Sequence, residues 1–300
     1  MIRSRHLLVI ALCAIACAAA TARAGIVKFA VAGDNRNSSN FVKIEEQIKQ
    51  TAPSAQFLLS PGDVDPPKRT RAEIDKVFGK NFPWYVAVGN HDLGHLPYLR
   101  DYFDKRLAQT VKPGPAGTCE TTYSFDAGEV HIAVINVYWS GSAAPGSDAN
   151  RDATVSAPLR KWLAADLDAS QKTWKLVVAH PPAYPQPDQD WHDSRHVGEG
   201  LDKHPAERDA FWSTLKQHGA TAYICGHTHR YSKYAPEGSQ VWQIDTGAAR
   251  GDNDTWKYDT FIIVTANEDQ IEFDAYRNLT ERGKFKITDI LALPSPKTDR

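Results

Sequence analysis

Cysteine is scarce: four residues in 300, far below the density of a disulfide-stapled small domain. Charge of either sign in excess is also missing, with 35 Lys and Arg against 36 Asp and Glu. That balance excludes the electrostatic footprint of a nucleic-acid-binding patch or of a membrane-surface protein. Beyond residue 24 no apolar run approaches the ~20 residues that cross a bilayer, which excludes a membrane span. There is no internal repeat and no linker long enough to mark a domain boundary, so residues 25–293 are expected to form one domain. What is present is 42% hydrophobic content and eight Trp, enough for a full core.

The first 24 residues have a separate logic. Arg3 and Arg5 precede a 14-residue apolar run, residues 7–20, and Ala22-Arg23-Ala24 supplies a small-x-small cleavage site. This is the pattern of a cleavable signal peptide, which places the mature chain outside the cytoplasm, secreted or periplasmic. Cys17 offers the competing outcome of a lipid anchor, against which Ala14 stands where a lipoprotein box usually has Leu. Cleavage removes three basic and no acidic residues, leaving 32 against 36 and a net charge of −4. It also leaves two cysteines, Cys119 and Cys225, expected as free thiols although an oxidising compartment permits their pairing. Sequons start at Asn37, Asn253 and Asn278.

Short apolar runs alternate with amphipathic stretches along the mature chain. Residues 26–32, 56–60, 84–88, 130–137, 174–179 and 221–225 have the composition of buried strands. Phe41, Ile44 and Ile48 form one helical stripe, and Leu159, Trp162, Leu163 and Leu167 a second. A third helix is predicted over 205–218, with Pro205 at its first position and Gly219 stopping it. Residues 241–245, 260–265 and 270–276 then follow as strand after strand. The order predicts an α/β body closed by a largely antiparallel sheet. Residues 112–119 and 140–152 have loop composition, and residues 294–300 that of a flexible tail.

Five of the predicted strands run directly into polar residues of ligand type. The sequences at those junctions are Gly33-Asp34-Asn35-Arg36, Gly62-Asp63, Gly89-Asn90-His91-Asp92, His180-Pro181 and Gly226-His227-Thr228-His229. Glycine beside a strand end allows a sharp turn, and ligands at such ends ride on a rigid scaffold. Gathered in space, two carboxylates, one amide oxygen and three imidazoles suit Zn, Mn or Fe and lack the thiolates of a structural zinc site. Any one fragment is weak, but five in this order are not.

The ordered set resembles the calcineurin-like metallophosphoesterase superfamily over residues 28–247. That resemblance implies an α/β four-layer sandwich, two mixed sheets flanked by helices, and metal-dependent hydrolysis of a phosphate ester. It implies two divalent or trivalent metal ions bridged by Asp63. Asn90, His180 and His227 would complete one site, and Asp34 and His229 would belong to the other. His91 would act on the ester itself, with Asp92 holding and polarising its imidazole. One position departs from the pattern: the His that usually stands two residues after the first Asp is Arg36, which has no lone pair to donate. The purple acid phosphatase branch fills such a gap with a Tyr three residues after the bridging Asp, but Pro66 stands there. Three roles are open to Arg36: contacting bound phosphate beside a weak first site, pairing with Asp34 in place of the first metal so that only one metal binds tightly, or pointing to solvent. The activity expected is a phosphatase or phosphodiesterase acting on small phosphoesters. The alternative is a catalytically weak phosphoester-binding protein with a degenerate first site.

The insertion 183–204 follows His180 and carries Tyr184, Trp191, His192, Arg195, His196 and His204. It is either a substrate-recognition loop or an ordinary surface loop. His95 is a further candidate for substrate contact, His131 is expected to be structural, and His218 suits a helix C-terminus. Substrate, metal identity and oligomeric state are not encoded in any pattern of this kind.

Overall fold

The computed structural model describes residues 25–36, 38, 40–250, 258–279 and 284–296. The predicted signal peptide, the sequons at Asn37 and Asn253, and the end of the predicted tail lie outside the described residues.

Apolar strands that are buried on both faces need cover on both faces, and the fold supplies it with two packed sheets and outer helices. In the first sheet, β1 (Val27–Val31), β2 (Leu58–Ser60) and β3 (Trp84–Val86) lie parallel. The sheet continues antiparallel from β1 through β11 (Thr260–Ala266), β12 (Gln270–Arg277) and β13 (Lys286–Pro294). In the second sheet, β6 (Val130–Val134), β7 (Trp174–Val178), β8 (Ala222–Cys225) and β10 (Trp242–Thr246) run parallel. The short β4 (Lys112–Pro113), β5 (Tyr123–Ala127) and β9 (Tyr231–Tyr234) are antiparallel additions at its margins. Both sheets are therefore mixed, and the two-sheet α/β sandwich expected from the sequence is the observed fold.

The helices α1 (Phe41–Thr51), α2 (Pro67–Phe78) and α3 (Leu96–Tyr102) pack in succession beside the first sheet. The pair α4 (Ala157–Ala169) and α5 (Pro205–Gln217) covers the second. Each predicted stripe is the buried one: Phe41, Ile44 and Ile48 on α1, and Leu159, Leu163 and Leu167 on α4. Two side chains tie the sheets together with polar bonds inside the core. Tyr123 Oη on β5 accepts from Val86 N at 2.8 Å and donates to Val86 O at 3.0 Å, while Trp174 Nε1 donates to Asn267 O at 2.6 Å.

Several elements were not anticipated. The helix α2 is charge-rich, and its buried face includes Arg71, which donates to Phe82 O at 3.0 Å and pairs with Asp75. Strands β5 and β9 are short, and β13 is a mostly exposed edge strand with little apolar alternation. Residues 112–119 include the two-residue β4 as well as loop. Both Cys119 and Cys225 are free thiols. His131 is structural as expected, its two ring nitrogens lying 2.7 Å from Asp126 and 3.0 Å from Asp166. No helix among the described residues is long and apolar enough to cross a membrane.

One buried acid contributes a pH-dependent weakness. Glu45 of α1 is buried, and neither carboxylate oxygen has a hydrogen-bond partner. Burial pushes its pKa up to about 9, helped by the charges of Glu73 and Glu46 and opposed by Arg71. Because the folded state then holds the proton more tightly than the unfolded state, the contribution is full below the ordinary value of 4.5 and is lost as pH rises toward 9. The loss is on the order of 1.4 kcal/mol per pH unit within that window. Glu45→Gln is accordingly expected to raise stability at pH 8, and its advantage to shrink as pH falls toward 5. Urea denaturation at several pH values checks this; an advantage independent of pH would contradict it.

Candidate metal centre

The parallel strands of both sheets end on one side of the molecule, and the ligand-type residues follow within four positions of those ends. Asp34 follows β1, Asp63 follows β2, Asn90 follows β3, His180 follows β7, and His227 and His229 follow β8. The turns are tight enough to hold four of the six in the left-handed region: Asp34 (φ 53°), Asp63 (52°), His227 (73°) and His229 (56°). Left-handed backbone at non-glycine residues is costly and concentrates where a site over-determines it. Glycine is required at two neighbouring positions. A Cβ on Gly89 would lie 2.2 Å from the Asp63 amide nitrogen and Oδ1, and one on Gly226 would lie 2.2 Å from Asp34 Oδ2.

Asn90, His180, His227 and Asp63 converge. Asn90 Oδ1 is 3.1 Å from His180 Nε2 and 3.1 Å from His227 Nδ1, and His180 Nε2 is 3.3 Å from Asp63 Oδ1. Ligands held ~2.1 Å from a tetrahedral ion stand roughly 3.4 Å apart, and each of these three distances is near that spacing. The second ring nitrogen of His180 faces Pro61 O at 3.1 Å; that carbonyl can only accept, so Nδ1 keeps a proton and Nε2 is the nitrogen left to bind a cation. On the other side, His229 Nε2 lies 3.3 Å from Asp34 Oδ1, and donor atoms of Asp34, Asp63 and His229 all fall within 4.8 Å of one another. Asp63 is common to both groups.

Without a cation these groups satisfy each other poorly. Among the described residues, His227 Nε2 is buried with no hydrogen-bond partner, and Asp34 Oδ1 has only the 3.3 Å contact with His229 Nε2. Burial opposes ionisation of Asp63, yet the His180 and His91 imidazoles hold its carboxyl far below the usual range. Burial likewise opposes charge on His180, but Asp63 and Asp34 outweigh it and push the imidazole up to about 10. His227, buried beside that imidazolium, is pushed down to about 3. A proton on His180 thus occupies the place in the charge balance that a cation suits better, and the donor set fits metal binding.

One expectation needs correction, and one of the three roles open to Arg36 drops out. Asp92 does not hold the His91 imidazole: its Oδ1 accepts from Val64 N at 3.0 Å and its Oδ2 from Gly89 N at 2.8 Å. It pins the turns after β2 and β3 to one another, and burial together with the Asp63 charge pushes its pKa well up. His91 itself is 39% exposed at the rim, with Nε2 3.8 Å from Asp63 Oδ2 and its amide donating to Asp63 Oδ1 at 2.9 Å. Arg36 is not paired with Asp34. Its Nε lies 3.4 Å from Asp65 Oδ1, an acid that belongs to no ligand pattern and sits just before two prolines.

The insertion 183–204 does overhang the site. The His196 ring packs 4.8 Å from that of His227 and 6.0 Å from that of His229, and His196 Nδ1 contacts Glu199 Oε2 at 2.5 Å. Tyr184 turns away and packs on Trp212 instead. Two supporting residues were missed for want of any local signal. Asp245, on β10, accepts from Thr228 Oγ1 at 2.7 Å and so braces the His227–His229 turn. Arg250 reaches back across 216 positions to donate from Nε to Asp34 O at 3.2 Å.

Residues 27–231 match the family model described as calcineurin-like phosphoesterase. The chain belongs to that family. Its members are metal-dependent hydrolases of phosphoric esters, in keeping with the donor set described above. Among curated proteins, this chain is 23% identical over 230 residues to "Probable purple acid phosphatase 20" of Arabidopsis thaliana, covering 72% of this chain and 48% of that protein. It is 26% identical over 172 residues to "Phosphoenolpyruvate phosphatase" of Allium cepa, covering 55% of this chain and 31% of that protein. It thus spans half or less of the length of these relatives. Among solved structures, the purple acid phosphatase PPD1 from yellow lupin (Lupinus luteus) seeds aligns with a TM-score of 0.60 at 12% identity, over 91% of this chain and 54% of that one. The structure of PhoD aligns with a TM-score of 0.64 at 10% identity, over 92% and 71%. At these identities the structural likeness establishes the fold.

Proposed function

We propose that this chain is an exported hydrolase of small phosphate esters that takes two metal ions, for which Asp63 would be a shared ligand. The observation that carries the proposal is the pair of donor groups sharing Asp63 at the strand ends: Asn90, His180 and His227 on one side, Asp34 and His229 on the other. When bound, the metal pair supplies charge neutralisation on the phosphoryl oxygens and activation of the attacking water. The remaining work falls to protein groups. His91, exposed at the rim and tethered through its amide to Asp63, protonates the departing ester oxygen. Asp92 fixes the turn that carries His91, through Gly89 and Val64, without touching the ring. Export rests on the pattern of residues 1–24.

Arg36 contacts the bound phosphoryl group in this reading. It is 32% exposed beside Asp65, and a guanidinium matches phosphate with a two-pronged fork. Its engagement with Asp65 favours this role over substitution for the first metal, which needs a pairing with Asp34. Arg36→His restores an imidazole at the position and is expected to tighten metal binding at the Asp34 site. It should also raise KM by roughly 10-fold or more, since charge-assisted hydrogen bonds contribute about 1.5–3 kcal/mol. Calorimetric metal titration with steady-state kinetics checks both halves. A parent that saturates with one metal and is already fully active would show that Arg36 replaces the first ion.

The hydrolase reading is tested by stripping the protein with a chelator and assaying a chromogenic monoester and diester before and after metal return. Turnover that vanishes and then recovers supports it. Tight phosphate-ester binding with no turnover in any metal would favour the alternative, a binding protein with a degenerate first site.

A further inference from the structure

A pocket of about 180 Å³ opens directly against His229, lined by Asp188, Trp191, Asp193, Arg230, Tyr258 and Arg277. Its charged walls are internally paired: Arg230 with Asp193 at 2.6 Å and Arg277 with Asp188 at 2.7 Å. Trp191 and Tyr258 form the aromatic part of the lining. Trp191 and Tyr258 lie parallel, with ring centroids 4.6 Å apart and planes 6° apart, yet Trp191 keeps 45% of its surface exposed.

The backbone of Trp191 is anchored to a buried ion pair. Asp188 is buried; its Oδ1 accepts from the amides of Asp190 (3.0 Å) and Trp191 (3.1 Å), and its Oδ2 accepts from Tyr231 N at 3.1 Å. Arg277, 2% exposed on β12, adds bonds from Nη2 and Nη1 to the same carboxylate at 2.7 and 3.2 Å and pairs with Asp190 as well. A buried ion pair of this kind is seldom justified by stability alone, because desolvation offsets its attraction. Here it fixes one loop residue, and that residue presents aromatic surface to a cavity beside a candidate metal ligand.

We propose that this pocket receives the leaving group of the ester and selects planar aromatic ones, with Trp191 and Tyr258 as the stacking platform. The proposal rests on the phosphoester-hydrolase reading above. An engineered cavity of about 150 Å³ accommodates benzene, so the volume is adequate for one ring system. Aryl and nucleoside leaving groups share the required chemistry, a flat π face.

The test compares phenyl phosphate, adenosine 5′-monophosphate and ethyl phosphate in the parent, Trp191→Ala and Trp191→Phe. In the alanine variant, kcat/KM on the aromatic esters is expected to fall about 10-fold or more, in line with measured aromatic stacking on bases. Ethyl phosphate should change less than about 2-fold, and the phenylalanine variant should recover most of the loss. A fall confined to phenyl phosphate identifies an aryl pocket, and one confined to the nucleotide a nucleobase pocket. Equal changes on all three esters, or no change on any, would overturn the platform. A second readout separates this proposal from the one beneath it: quenching of indole fluorescence by phenylphosphonate. If the parent hydrolyses none of the esters, the hydrolase reading fails. Quenching present in the parent and lost in Trp191→Ala would still support the platform; quenching equal in both, or missing from the parent, would contradict it.

Discussion

Asp63→Ala is expected to abolish both metal binding and hydrolysis. Its carboxylate is the one group common to both donor sets, with Oδ1 3.3 Å from His180 Nε2 and both oxygens buried among imidazoles. Losing it removes a ligand from each ion and leaves His180 with a weaker counter-charge. Several kcal/mol of charge stabilisation depend on the ions, so activity should drop by roughly 10³-fold or more. Metal content by mass spectrometry of the intact protein, measured beside turnover, checks the pairing of the two losses. A variant that keeps two metals and loses only rate would move the bridge elsewhere.

His91→Ala should behave in the opposite way with respect to metal. The ring stands 3.8 Å from Asp63, is 39% exposed and has no other side-chain hydrogen bond or ion pair among the described residues, so metal content should stay at the parental level. The rate should fall by roughly 10²–10⁴-fold if the imidazole delivers the proton to the leaving oxygen. The loss should be smallest on esters whose leaving group needs no proton, such as a nitrophenolate. Equal losses on good and poor leaving groups would remove His91 from that role, and loss of metal would make it a ligand.

The two substitutions separate because the sequence places their residues on different supports. Asp63 follows a strand that is buried on every side, Leu58–Ser60, whereas His91 projects from the Gly89–Asp92 turn. The strand-end positions of Asp34, Asp63, Asn90, His180 and His227 were legible because apolar runs stop abruptly at ligand-type residues, often beside glycine. The helices α1 and α4 were legible from their apolar stripes, and α5 from Pro205 at its start and Gly219 after its end. Helix α2 was not, since its buried face includes Thr70 and Arg71, whose partners lie elsewhere in the chain. Strand β13 lacked a pattern because most of its residues face solvent.

Within the site, what escaped the sequence is what depends on long-range contact. The partner of Asp92 was misassigned because the family resemblance pairs that carboxylate with the His91 imidazole. In the fold, that carboxylate is buried beneath the turn and already takes two amides. Asp65, Asp245 and Arg250 acquire their roles only when strands distant in sequence meet, as when Arg250 donates to Asp34 O. The insertion 183–204 was noted for its composition, but composition did not distinguish His196, which packs over His227, from Tyr184, which packs on Trp212.

The central claim is that two metal ions sit at the strand ends, bridged by Asp63. Anomalous diffraction from crystals of the metal-loaded protein soaked with phosphate tests it most directly. The account predicts one peak among Asp63, Asn90, His180 and His227, a second among Asp34, Asp63 and His229, and phosphate between them and His91. A lone peak at His196, Glu199 and His227, with phosphate remote from His91, would contradict it.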